Sequence, residues 1–127
     1  MNTSLDAHLG QSEQEAVRAF LDRVWTSCGT HILDVLLFGS KARGDSERDS
    51  DIDVLLIADT DAWQFKHTIS GIASDIGVDY DVLIDARVIG IERWQHMAEE
   101  GFSLYQNIAH DGIPLPTAAD VQMSSET

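Results

Sequence analysis

Two apolar runs, Ile32 to Phe38 and Ile52 to Ala58, bracket a polar loop, and the residues at their junctions limit the chain more than any other feature. The first run, interrupted only by Asp34, stops abruptly at Gly39-Ser40. Lys41, Arg43, Asp45, Glu47, Arg48, Asp49 and Ser50 follow, and the second run opens with carboxylates at alternate positions, Asp51 and Asp53. Short apolar runs bounded by turn residues read as strands, and alternate residues of a strand share a face, so Asp51 and Asp53 are expected side by side. Two adjacent carboxylates resist joint ionisation unless a cation lies between them. Hard divalent ions such as Mg²⁺ take oxygen ligands and share them with substrate phosphates. A Gly-Ser bend ending one strand beside such a pair therefore reads as a phosphate cradle next to a metal site.

The rest of the pattern predicts an α/β (α+β) domain with a small mixed sheet flanked by helices. Ser12 to Glu15 resembles a capping box with Ser12 as N-cap, and Ala16, Val17, Phe20, Leu21 and Val24 then recur at helical spacing to about Cys28. Ser40 to Arg43 fits one short helical turn. A second helix is expected over about 61–75, with Trp63, Ile69, Ile72 and Ile76 inward and Gly77 as its stop. Val78 to Ile84 alternates and predicts a third strand, with Asp79, Asp81 and Leu83 on one face. Helices are expected over about 87–100 and 102–110, and 113–116 as a short edge strand. Residues 12–116 are expected to form the domain, with flexible tails at 1–11 and 117–127.

Composition narrows the function classes. At 127 residues the chain is the size of one domain, and 43% hydrophobic residues suffice for an ordinary core. Eight Lys and Arg against 22 Asp and Glu leave a net charge of −14, which opposes direct nucleic-acid binding because phosphate backbones select basic surfaces. The same balance favours a cationic or protein partner and suits a chain that collects Mg²⁺. Cys28 stands alone, so no intrachain disulfide framework exists and a reducing compartment is expected. Met1 to Gly10 lacks the basic and apolar regions of a signal peptide. The longest apolar runs, about seven residues, fall far short of the roughly 20 that cross a bilayer. A cytoplasmic protein with no membrane association is the expectation. His31, His67, His96 and His110 are scattered without ligand spacing, and Trp63 and Trp94 read as core residues.

The string Phe38-Gly39-Ser40-Lys41-Ala42-Arg43-Gly44, followed by Ser50-Asp51-Ile52-Asp53-Val54-Leu55, resembles the signature of the DNA polymerase beta nucleotidyltransferase superfamily. The likeness is to its small single-domain version, the minimal nucleotidyltransferase, and covers about residues 30–115. It implies a polymerase-beta-like fold and transfer of a nucleoside monophosphate from an NTP to an acceptor hydroxyl, with release of pyrophosphate. Charge on the attacking and leaving oxygens is then neutralised by two Mg²⁺ ions ~3.5–4 Å apart. The resemblance implies that Asp51 and Asp53 bind these ions, while Gly39 and Ser40 hold the β and γ phosphates. Arg43 is expected to pair with phosphate or with a motif carboxylate, and Lys41 to face solvent. A third carboxylate, metal ligand and base toward the acceptor, is expected on a neighbouring strand. Tyr80-Asp81-Val82-Leu83-Ile84 fits that pattern, so Asp81 is the choice and Asp79 its competitor. Asp45 and Asp49 are expected to be solvated.

Larger relatives carry a second domain that grips the acceptor, and a pattern that fades near Leu115 leaves no room for one. Small members pair with an all-helical HEPN protein in toxin–antitoxin modules. The resemblance thus implies an antitoxin that transfers AMP from ATP to a tyrosine of a HEPN ribonuclease toxin. ATP is the expected substrate, Mg²⁺ the cofactor and the toxin the partner. Two alternatives stay open: an acidic antitoxin that neutralises by contact alone, and a small-molecule (aminoglycoside-like) nucleotidyltransferase working as a dimer.

Overall fold

The computed structural model describes residues 8–44 and 50–115. Helix α1 (Gln11–Cys28) buries Ala16, Val17, Phe20, Leu21 and Val24 along one stripe, as the periodicity requires. Its N-cap lies two residues before the expected one. Gly10 is the N-cap, and Glu13 rather than Glu15 reaches back, its Oε1 accepting the Gly10 N–H at 2.8 Å. The reason is tertiary: Leu9 is buried just ahead of the helix, and Glu13 is held from its other oxygen by Lys41. Within the segment 1–11 expected to be loose, Leu9 is buried and His8 half-buried, while residues 1–7 and 116–127 lie outside the described residues.

Strand β1 (Ile32–Phe38) runs into the short helix α2 (Gly39–Arg43), and β2 (Ile52–Ala58), α3 (Trp63–Tyr80), β3 (Ile84–Gly90), α4 (Ile91–Glu100), α5 (Ser103–Asp111) and β4 (Ile113–Pro114) follow. The sheet order is β3-β2-β1-β4, with β1 antiparallel to β2 and β4, and β3 parallel to β2. Every residue of β2 except Asp53 is buried, because helices cover both faces of the sheet. On one face, Val35, Leu37, Ile52, Val54, Leu56 and Ala58 join the inward residues of α1 and of α3. On the other, Leu36, Phe38, Leu55, Ile57 and Ile89 meet Trp94 and Met97 of α4 and Leu104, Tyr105 and Ile108 of α5. Full burial of a side chain such as Phe20 or Leu56 contributes about 1.5–3 kcal/mol, so these two layers hold the sheet rigid. Among the described residues no helix is long and apolar enough to cross a membrane.

The third strand is not where the alternation at 78–84 predicts it. Helix α3 runs through Gly77 to Tyr80, carrying the stripe Ile69, Ile72, Ala73, Ile76 onward to the half-buried Tyr80. Val78 is left 81% exposed, which a strand in this sheet would not tolerate. The helix closes on Asp81, in the left-handed region with φ 55°, and both the Asp81 and Val82 N–H groups donate to the Gly77 carbonyl. A Cβ on Gly77 would lie 2.7 Å from the Val82 carbonyl oxygen, so glycine here makes the tight closure rather than stopping the helix, whose cap is Asp81, four residues on. The strand then begins at Ile84, and α4 at Ile91 instead of about 87.

Candidate active site

The ends of β1, β2 and β3 build the site. β1 ends at Phe38, which pairs with Asp53 near the start of β2, and Asp53 pairs in turn with Asp85 at the start of β3. Asp53 and Asp85 alternate with Leu55, Ile57 and Ile89, so both carboxylates lie on the α4/α5 face. Asp51 precedes β2 at the same parity and is exposed, and Arg87 follows Asp85 on the same face of β3.

Gly39 turns the chain from β1 into α2. Its φ of 73° is one that L residues rarely adopt, and a Cβ built on it would sit 2.2 Å from the Asp53 Oδ2. The bend therefore touches the carboxylate directly, and only glycine lets it do so. The first N–H groups of α2, from Gly39 and Ser40, belong to the turn whose donors have no partners within their own helix. Gly44 closes α2, its N–H donating to the Ser40 carbonyl at 3.0 Å.

Electrostatics mark Asp53 as the centre. Partial burial and the neighbouring Asp85 and Asp51 charges push its carboxyl up to about 6, a proton shared with Asp85 adds to this, and Arg87 opposes it. A carboxylate held this way is a site short of positive charge. Below its folded pKa the native protein holds a proton that the unfolded chain, titrating near 3.8, has lost. Stability from this group is therefore present at pH 4 and declines as pH rises through about 6. Discounted for solvent screening, the loss is on the order of 1–2 kcal/mol. Asp53→Asn should accordingly be more stable than the parent at pH 8 and equal to it at pH 4 in urea melts. A parent equal to or more stable than the variant at pH 8 would contradict this charge arrangement.

Among the described residues, no three His, Cys, Asp or Glu side chains are gathered as a ready ligand cage. The donor set of Asp51, Asp53 and Asp85 nevertheless fits a hard cation in kind, being all carboxylate oxygen, and the raised Asp53 carboxyl is the feature such a cation relieves.

The structure thus brings together Gly39, Asp53 and, by charge, Asp51, and places Ser40 in the first turn of α2. Asp81 is corrected. It caps α3 rather than standing on a strand, Asp79 lies exposed in that helix's last turn, and the carboxylate beside Asp53 is Asp85. The apolar-Asp-apolar string recurs at Ile84-Asp85-Ala86, and the continuing helical stripe to Tyr80 was the signal that favoured it. Arg43 is exposed at the far end of α2. Lys41, expected in solvent, is 3% exposed, with its Nζ 2.6 Å from the Glu13 Oε2. Asp45 and Asp49 lie outside the described residues. Trp94 packs 4.7 Å from Tyr105 as a core residue, whereas Trp63 is 70% exposed and meets His67 edge-on.

Comparison with known proteins agrees with this geometry. A family model described as a nucleotidyltransferase domain matches residues 17–103. A protein of Methanocaldococcus jannaschii, named as an inferred protein adenylyltransferase, is 30% identical over 101 residues, covering 80% of this chain and 95% of its own. The fold resembles a toxin–antitoxin crystal structure with AMP-PNP, at TM-score 0.53 and 20% identity over 82% of this chain and 77% of that one. It also resembles the toxin–antitoxin MntA-HpeT, at TM-score 0.54 and 17% identity over 89% and 81%. With the bend, the paired strand carboxylates and these matches in agreement, the chain belongs to the nucleotidyltransferase domain family and is a nucleotidyltransferase.

Proposed function

We propose that this enzyme transfers AMP from ATP to a hydroxyl of a partner protein, and that it serves as the antitoxin to a HEPN-type helical toxin. The observation that carries the chemistry is the direct packing of Gly39 on Asp53 with Asp85 alongside, which sets the bend against the acidic cluster. The relative named as a protein adenylyltransferase supports a protein acceptor, and the toxin–antitoxin folds support the setting.

In this reading the Gly39 and Ser40 amides and the Ser40 hydroxyl hold the β and γ phosphates, with Arg43 adding charge from the end of α2. Asp51, Asp53 and Asp85 would hold Mg²⁺, which when bound neutralises charge on the triphosphate. The acceptor oxygen forms a bond to the α-phosphorus as the bond to the β-phosphate bridging oxygen breaks, and pyrophosphate leaves. Asp85, on the open edge strand of the sheet, accepts the hydroxyl proton. The acidic cluster and the −14 charge suit a basic protein partner better than a nucleic acid.

Incubation with α-labelled ATP, Mg²⁺ and the purified toxin partner tests this reading. Label is expected on the partner with wild type and none with Asp53→Asn. Label on an added small molecule instead would favour the aminoglycoside-like alternative. Equal protection of cells by wild type and Asp53→Asn would favour neutralisation by contact alone.

A further inference from the structure

Lys41 is a lysine at 3% exposure in a five-residue helix, directly after Ser40, and its role is not explained by binding or by stability. Its Nζ lies 2.6 Å from the Glu13 Oε2, and Glu13 is itself only 16% exposed. The other Glu13 oxygen accepts the Gly10 N–H at 2.8 Å, and the His8 ring hydrogen-bonds the Lys41 carbonyl at 3.0 Å. Leu9 is buried between these contacts, and Gln14 Nε2 donates to its carbonyl at 2.9 Å. The entrance of α1 and the α2 turn are thus cross-linked at both side-chain and backbone level.

A buried ion pair is poor evidence for stability, because desolvation offsets the attraction and an apolar pair of similar volume often does as well. What such a pair supplies is one defined arrangement. A helix as short as α2 has little stability of its own and takes its orientation from whatever it packs on. Lys41 and Ala42 are the buried residues of α2, and Gly39 at its start lies directly against Asp53.

We propose that Glu13 and Lys41 are positioning residues: their ion pair fixes the α2 turn, and through it the Gly39 and Ser40 amides, relative to the β2 and β3 carboxylates. The part of this inference that concerns nucleotide rests on the function proposed above. The part that concerns the turn does not.

The test uses the full chain with Glu13→Gln/Lys41→Met, Lys41→Arg, Glu13→Gln, the single reversals Glu13→Lys and Lys41→Glu, and the swapped pair Glu13→Lys/Lys41→Glu. Amide hydrogen exchange over residues 39–44 in nucleotide-free protein reads the turn, thermal melting reads the fold, and calorimetry with ATP and Mg²⁺ reads the site. Glu13→Gln/Lys41→Met, which leaves no buried charge unpaired, is expected to speed exchange in the turn and to weaken ATP binding by about tenfold or more, at a melting temperature close to wild type. Lys41→Arg keeps the charge and is expected to recover most of the affinity, and the swapped pair to bind better than either single reversal. Should that double variant not fold, Glu13→Gln gives the same readings. Unchanged exchange at 39–44 in a folded variant overturns the proposal. So does exchange that rises evenly across the whole chain, which marks a purely structural pair. Wild type that binds no ATP overturns the proposed function instead, and the exchange data still decide the positioning role.

Discussion

Asp85→Asn should lower AMP transfer by about 10²–10³-fold, whereas Asp81→Asn should leave the rate within about twofold. The two residues stand four apart and only one is on a strand. Asp85 pairs with Asp53 across the parallel β2–β3 register, and its charge raises the Asp53 carboxyl. Asp81 ends α3 in a left-handed conformation, exposed, where its part is to close the helix onto the Gly77 carbonyl. Asparagine tolerates that conformation as well as aspartate, so Asp81→Asn also spares the fold. Single-turnover rates with labelled ATP and partner protein measure both variants, with circular dichroism as a check on folding. A larger loss at Asp81 than at Asp85 would return the third carboxylate to the loop and refute the assignment.

Gly39→Ala should cost about 1–2 kcal/mol from the backbone alone, since φ 73° is disfavoured for any residue with a Cβ. The larger effect is local. The new methyl carbon would fall 2.2 Å from the Asp53 Oδ2 and 3.1 Å from its carboxyl carbon, so the carboxylate must swing away or the bend must lift. Either movement separates the Gly39 bend from the acid cluster, and a misplacement near 1 Å costs on the order of 10²-fold in rate. A double variant separates the contributions. Combining Gly39→Ala with Asp53→Ala removes the collision but not the backbone strain, so stability should recover in part while activity stays lost. Strict additivity of the two stability changes would show that the residues do not touch.

Much of this arrangement is legible before any coordinates. Ile32–Phe38 and Ile52–Ala58 announce themselves as strands through apolar runs ending in turn residues, and Gly39-Ser40 and Asp51-x-Asp53 sit at their junctions. The stripe from Ala16 to Val24 and the edge strand at Ile113–Pro114 follow from periodicity and position. The error at the third strand is equally physical. Over Ile76, Val78, Tyr80, Val82 and Ile84 a period of two and the tail of a helical stripe share residues, and Gly77 invites a stop. Exposure decides between them: Val78 and Leu83 face solvent, whereas Ile89 and Gly90 are buried.

Lys41 shows a second kind of illegibility. A lysine in a charged loop reads as solvated, and nothing near it in sequence says otherwise. Its partner Glu13 lies 28 positions earlier, in an element whose own signals suggested a different cap. Local chemistry was therefore enough to name the glycine bend and the pair of carboxylates beside it, because strand alternation and the missing glycine side chain act within a few residues. Which third carboxylate joins them, and what holds the bend in place, depend on the β2–β3 register and on α1 meeting α2. Those are long-range packing outcomes, set by how two buried faces close on one sheet, and only the folded chain decides them.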